Sequence, residues 1–122
     1  MRLLALLPIF LGIAAPLGNS IGVGLSTSDL IGDWEEDPGT CGGDNFVSYH
    51  PNGSFFGYDY EGRWKLSGET LTTFVTKRMG SDEKWRRVKP SERYATTIVS
   101  LSHERMTERQ ADGSLLSLHR CR

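Results

Sequence analysis

The sequence predicts an all-β domain: a small antiparallel up-and-down meander of about eight strands, closed or nearly closed into a barrel. Three observations predict it. Turn signals are dense, and the runs between them are short. Those runs are rich in β-branched and aromatic residues, several with period-two alternation. Two cysteines, Cys41 and Cys121, sit after the first such run and at the end of the last.

The elements follow in order. Leu30–Glu35 forms the first strand and stops at Asp37-Pro-Gly-Thr-Cys-Gly-Gly-Asp44, a loop by composition. Asn45–His50 and Ser54–Tyr60 flank Pro51-Asn52-Gly53, where Asn-Gly tolerates the positive φ of a hairpin turn. Glu61-Gly62 separates that strand from Arg63–Ser67, in which Trp64 and Leu66 face one side while Arg63 and Lys65 face the other. Ser67-Gly68 leads into Thr70–Lys77, where Leu71, Thr73 and Val75 alternate with Thr72, Phe74 and Thr76. The longest loop comes next, and then strands Arg93–Ser102 and Arg105–Gln110. Asp112-Gly113 turns into Ser114–Arg120, where Leu116 and Leu118 alternate with Ser117 and His119. No stretch sustains a helical period; at most Ser28–Ile31 or Ser81–Trp85 makes a short turn of helix.

Residues 1–20 read as an export leader. Arg2 is its only charge, an apolar run extends from Leu3 to Ala15, and small residues follow. Cleavage after Ser20 or Gly22 places small residues at the two positions that need them. The run is too short for the roughly 20 residues of a membrane span, and Pro8 and Pro16 interrupt it. The expectation is an exported protein, periplasmic or secreted, with residues 21–122 as a single β-barrel domain and no transmembrane segment. In that compartment an even pair of cysteines predicts a Cys41–Cys121 disulfide. It closes a loop of about 80 residues, worth roughly 4 kcal/mol by loop-closure entropy, and brings first and last strands side by side.

Charge is low but segregated. The chain carries 14 Lys and Arg against 15 Asp and Glu, without the basic excess of a nucleic-acid binder. From Asp29 to Glu61 there are eight acids and no base; from Lys77 to Arg93 there are seven bases and three acids, with Trp85 in the middle. A basic loop around a tryptophan suits an anionic partner or lipid surface; the plain alternative is a loop folded against the acidic third or simply solvated.

No cofactor or catalytic motif is present: no Gly-x-Ser-x-Gly, no Cys-x-x-Cys, and no His-x-x-x-His among His50, His103 and His119. The Asp37–Asp44 loop has too few carboxylates at the offsets a calcium loop needs. The chain is therefore expected to bind no metal or cofactor and not to be an enzyme. Asp59 and Glu108 are an example of two carboxylates that opposing strands could bring face to face inside a barrel; nothing in their spacing argues for it. Aromatics concentrate instead: Phe46, Tyr49, Phe55, Phe56, Tyr58, Tyr60 and Trp64 fall within two hairpins. Alternation puts Phe56, Tyr58 and Tyr60 on one face, and with Tyr49 they make the candidate ligand-binding residues.

The segment Leu30-Ile-Gly-Asp-Trp34 opens the first strand with Gly-x-Trp, and in this it resembles lipocalin-type and related calycin barrels. The resemblance implies that Gly32 and Trp34 plug one end of the barrel, with a basic residue of the last strand, Arg120 or Arg122, packed on the ring. It also implies an interior site for a small apolar or amphipathic ligand. The chain is much shorter than a lipocalin and lacks the family's later Thr-Asp-Tyr motif and C-terminal helix. The same opening, followed by Trp64-Lys-Leu-Ser-Gly-Glu-Thr-Leu71, is similar to the small periplasmic inhibitors of secreted bacterial metalloproteases. That resemblance implies a protein partner held by an N-terminal arm, Ser20–Asp29, although the inhibitors pair their cysteines within the first part of the barrel.

Overall fold

A computed structural model describes residues 25–122. The leader, its cleavage site and the first residues of the arm lie outside the described residues. One helical turn, α1 (Thr27–Leu30), leads into eight strands: β1 (Gly32–Glu36), β2 (Phe46–Tyr49), β3 (Ser54–Phe56), β4 (Tyr60–Ser67), β5 (Thr70–Met79), β6 (Trp85–Leu101), β7 (Arg105–Arg109) and β8 (Leu115–Cys121). Each strand pairs with its sequence neighbour, and β8 returns to β1, so the sheet closes into an antiparallel barrel with no free edge. The closing ladder runs from Asp33↔Cys121 to Glu36↔Leu118. The disulfide forms between Cys41 and Cys121, with their Cα atoms 5.7 Å apart, inside the range such bridges require.

The predicted alternation sorts inside from outside. Trp34, Val47, Tyr49, Phe55, Leu71, Val75, Ile98, Met106 and Leu118 form the core, with Trp64 and Leu66 packed against it. The predicted boundaries shift in several places. Leu30 ends α1 rather than starting β1, and Glu61-Gly62, expected as a turn, lies inside β4 at a bulge. Two departures are larger. The strand expected over Ser54–Tyr60 stops at Phe56, and the chain turns at Gly57, whose N–H donates to the Tyr60 carbonyl (2.9 Å). A Cβ at Gly57 would lie 2.4 Å from the Tyr60 ring. Glycine there lets Tyr60 fold back toward the core. The basic stretch Lys77–Arg93, expected as a loop, is largely hairpin. Lys77, Arg78 and Met79 pair with Arg87, Arg86 and Trp85 around a tight turn at Gly80–Lys84. β7 joins β6 only from Thr97 onward, so this arm has no core face. Without an apolar face there is no alternation to read.

One end of the barrel is shut. Trp34 is 0% exposed and donates its indole N–H to the Leu30 carbonyl (2.8 Å). The Arg120 guanidinium lies 4.3 Å from the centre of its ring. The same guanidinium donates to the carbonyls of Ile31 (2.7 Å), Asp29 (2.6 Å) and His103. Gly32 makes room for this: its φ is +134°, and a Cβ there would sit 2.3 Å from Arg120 Nη1. Leu30 belongs to the core cluster and Leu25 packs against it.

Removing the plug should therefore be costly. Trp34→Ala is expected to lose about 3–5 kcal/mol, the usual cost of truncating a buried aromatic, seen as a lower urea midpoint at unchanged slope. A loss under about 1 kcal/mol would show that the closed end does not depend on the ring.

Candidate functional site

The other end is open. Its rim is built from the β1–β2 loop, the β3–β4 turn, the β5–β6 hairpin and the β7–β8 turn, and it leads into a cavity of about 420 Å³. Tyr49, Phe55, Val75 and Leu118 form its apolar floor, with Tyr60, Tyr94 and Thr96 higher on the wall. Tyr49 stacks on Phe55, with ring centres 6.1 Å apart and planes 13° from parallel, and Tyr60 tilts against Phe55 at 5.6 Å. The cavity is thus lined in part by a packed aromatic cluster.

Polar groups line the same space. Four carboxylates border it, Glu36, Asp44, Asp59 and Glu108, against one base, Arg78. Arg78 is already engaged: Nε and Nη2 both donate to one oxygen of Glu92 (2.9 and 2.6 Å). Glu108 is only 6% exposed and has no ion-pair partner among the described residues. Burial pushes its carboxyl up from the ordinary 4.5, against the pull of Thr96 beside it, and the Glu36 charge adds to the rise. The Gln110 Nε2 is buried without a hydrogen-bond partner. Burial likewise pushes Tyr60 up to about 12, helped by the Asp59, Glu36 and Glu108 charges. Tyr49 is raised by burial first and by Glu108 second.

The structure divides the four candidate binding residues. Tyr49 and Tyr60 line the cavity. Phe56 and Tyr58 are 39% and 56% exposed on the outside, because the turn at Gly57 breaks the strand that would have aligned them with Tyr60. Phe56 packs instead on Phe46 and His50 (ring centres 6.3 and 5.2 Å away). Asp59 and Glu108 both reach the cavity. Glu36, Arg78 and Gln110 carry no sequence signal beyond their place at strand ends.

Two further clusters lie on the outer wall. Ser48 Oγ donates to Asp33 Oδ1, directly across the β1–β2 ladder, and lies 3.1 Å from His50 Nε2. These are the residue types of a nucleophilic relay in the wrong order. A relay needs the carboxylate behind the imidazole and the imidazole on the hydroxyl, whereas here the carboxylate itself accepts the hydroxyl's hydrogen bond. The second cluster is Glu35, Cys41, His119 and Cys121, whose potential ligand atoms lie within 4.8 Å of one another. The only sequence hint is His119-x-Cys121, which puts both on one face of β8 opposite Glu35 and Asp33. The two sulfurs are bonded to each other, so neither offers a thiolate. Glu35 accepts from the backbone N–H groups of Cys41 and Gly43, which folds the β1–β2 loop over the outside of the barrel. His119 Nδ1 lies 2.7 Å from Asp37 Oδ1 and anchors the start of that loop. The hydrogen bond from His119, with help from Arg105, holds the Asp37 carboxyl below its usual value.

The chain matches no family model, no curated protein and no solved structure with which it was compared. The geometry alone identifies the cavity as the candidate site.

The raised Glu108 carboxyl makes stability depend on pH. The folded state holds this proton to a higher pH than the unfolded chain does. Its contribution is therefore full below the ordinary 4.5 and is lost as pH rises through the raised value. Asp37 acts in the opposite sense and lower down: its contribution is present above the ordinary 3.8 and is lost as pH falls through the lowered value. Urea midpoints measured from about pH 4.5 to 7 should fall in the wild type and stay flatter in Glu108→Gln, which should be the more stable protein at neutral pH. Parallel curves for the two proteins would contradict a desolvated Glu108.

Proposed function

We propose that this protein is an exported, non-catalytic binding barrel of lipocalin-like design, and that its ligand is a small amphipathic molecule held inside the open end. One observation carries the reading: an eight-stranded barrel is just wide enough to be filled by its own side chains or to hold one small ligand, and this one leaves about 420 Å³ unfilled. That volume falls at the small end of the roughly 300–1,000 Å³ typical of ligand pockets. The mixture also fits, with aromatic and aliphatic walls and a few convergent polar groups. The Gly32–Trp34–Arg120 arrangement at the closed end is what the calycin resemblance implies. The disulfide suits an oxidising compartment, and no helix among the described residues is long and apolar enough to cross a membrane.

The inhibitor reading ranks second. It needs a free arm, and of the arm residues described, Leu25 packs against the core while residues 26–28 are exposed.

The test uses N-phenyl-1-naphthylamine, a dye that is uncharged at neutral pH and brightens in apolar surroundings. Saturable one-to-one binding is expected. Thr96→Phe, which fills the cavity from β6, should abolish it while leaving the thermal melt cooperative. Tyr60→Ser should weaken it, and Tyr58→Ser, altered outside the barrel, should not. Undiminished binding by Thr96→Phe would remove the interior from consideration.

A further inference from the structure

We propose that the cavity selects an organic cation, a small arylalkyl or alkyl amine, with the buried Glu108 carboxylate in its wall as the counter-ion. The inference rests on the interior being the binding site and adds the chemical class of what binds there.

Three features converge on a cation. The first is Glu108 itself. It is more than nine-tenths buried, it borders the cavity, and no Lys, Arg or His among the described residues pairs with it. A carboxylate so placed is costly to keep ionised unless something supplies the opposite charge. The protein does not supply it, although it carries 14 Lys and Arg. The space beside Glu108 is empty enough for a ligand to do so.

The second feature is the sign of the lining. Glu36, Asp44 and Asp59 line the same cavity as Glu108, Glu36 half-buried and the other two exposed. The only base lining the cavity among the described residues, Arg78, is tied to Glu92 and to the Tyr94 hydroxyl (3.3 Å). A low-dielectric cleft with one sign of charge concentrates counter-ions of the other. An anionic ligand would meet four carboxylates and no free cation.

The third feature is the aromatic floor. Tyr49 and Phe55 stack as a pair with Tyr60 beside them. Aromatic faces attract a cation, and the attraction strengthens when the site is desolvated. An ammonium group here donates a charge-assisted hydrogen bond to Glu108 while its apolar body packs on rings and on Val75, Leu116 and Leu118. The unpartnered Gln110 Nε2 leaves one donor for a hydroxyl or carbonyl on the same ligand. An aliphatic fatty acid satisfies none of these three features.

The experiment compares three probes of nearly one shape on the disulfide-intact protein at neutral pH: 2-phenylethylamine, 2-phenylethanol and 3-phenylpropionate. Binding is followed by two-dimensional NMR shifts, which tolerate weak affinity. The amine is expected to bind at least tenfold more tightly than the alcohol, and the carboxylate not to saturate. Glu108→Gln should reduce the amine to the affinity of the alcohol and leave the alcohol unchanged. Asp59→Asn, altered at the rim where folding is not at stake, should lower amine affinity severalfold and thereby tests the same charge logic without touching Glu108. Equal binding of amine and alcohol, preference for the carboxylate, or an amine preference that survives Glu108→Gln would each overturn the proposal. If none of the three binds while the naphthylamine dye still does, the amine class is wrong and the interior site stands. If the dye fails as well, the interior reading itself falls.

Discussion

The fold depends on where the Arg120 guanidinium goes. It comes from the last strand, lies on the ring of Trp34 in the first, and donates to carbonyls of Asp29, Ile31 and His103. One side chain thus joins the chain entry, the plug, the β6–β7 turn and the closing ladder. A half-buried guanidinium still needs its donors satisfied. Here backbone dipoles and a π face do that without a carboxylate. The arrangement dictates its surroundings. Gly32 has to be a residue without a side chain, because Arg120 occupies the place of its Cβ. The helical turn of α1 has to end where it does, so that the Leu30 carbonyl meets the indole N–H. The disulfide adds a second, covalent tie at the same end of β8, and it fixes the long β1–β2 loop across the outside of the barrel rather than across its mouth. The mouth stays open as a result.

The barrel is polarised along its axis, and the same strands build both halves. On β7, Met106 is buried at the closed end, and two residues on, facing inward again, stands Glu108. On β1, Trp34 and Glu36 are related in the same way, one in the plug and one at the rim. Period-two geometry would have accepted a leucine at either carboxylate position, and an apolar residue there would have extended the core at a gain in stability. A buried acid in a core position of a domain this small is a local inconsistency of the kind that marks function. The unsatisfied Gln110 amide next to it belongs to the same pattern. Stability is concentrated at one end, and the other end is left unfinished in a way a ligand can complete.

Much of this was legible in the sequence, and the reasons for the rest are physical. Closure was readable from Cys41 and Cys121 flanking a meander of alternating strands, since only a returning last strand brings them together. The plug was readable from Gly32-x-Trp34. What failed was the assignment of Phe56, Tyr58 and Tyr60 to one face. Strand alternation holds only while the strand continues, and Gly57 turns the chain where no Pro or Asn announces it. Tyr60 consequently enters the barrel while Tyr58 remains in water. The Lys77–Arg93 hairpin was hidden for a related reason: a ribbon with solvent on both faces has no hydrophobic period. Glu108 was visible as an inward candidate, but its isolation was not, because no local pattern reports the absence of a partner contributed by other strands.

The segregation of charge along the chain, puzzling as a linear pattern, acquires a spatial meaning in the barrel. The acidic third supplies Glu36, Asp44 and Asp59 to the mouth. The basic stretch becomes the arm beside it, and several of its charges are neutralised locally: Arg86 by Asp82, Arg78 by Glu92, Lys77 by Glu61. Had those bases turned onto the mouth, they would have quenched its field and paired with Glu108. Because β6 leaves β7 before Thr97, the arm is carried away from the inner wall, and only Arg78 among its bases touches the cavity. The negative potential of the interior is therefore not an accident of a nearly neutral chain. It is kept by a topology that holds opposite charges apart along one strand pair, and a cavity kept in that condition is already complementary to a cation before one arrives.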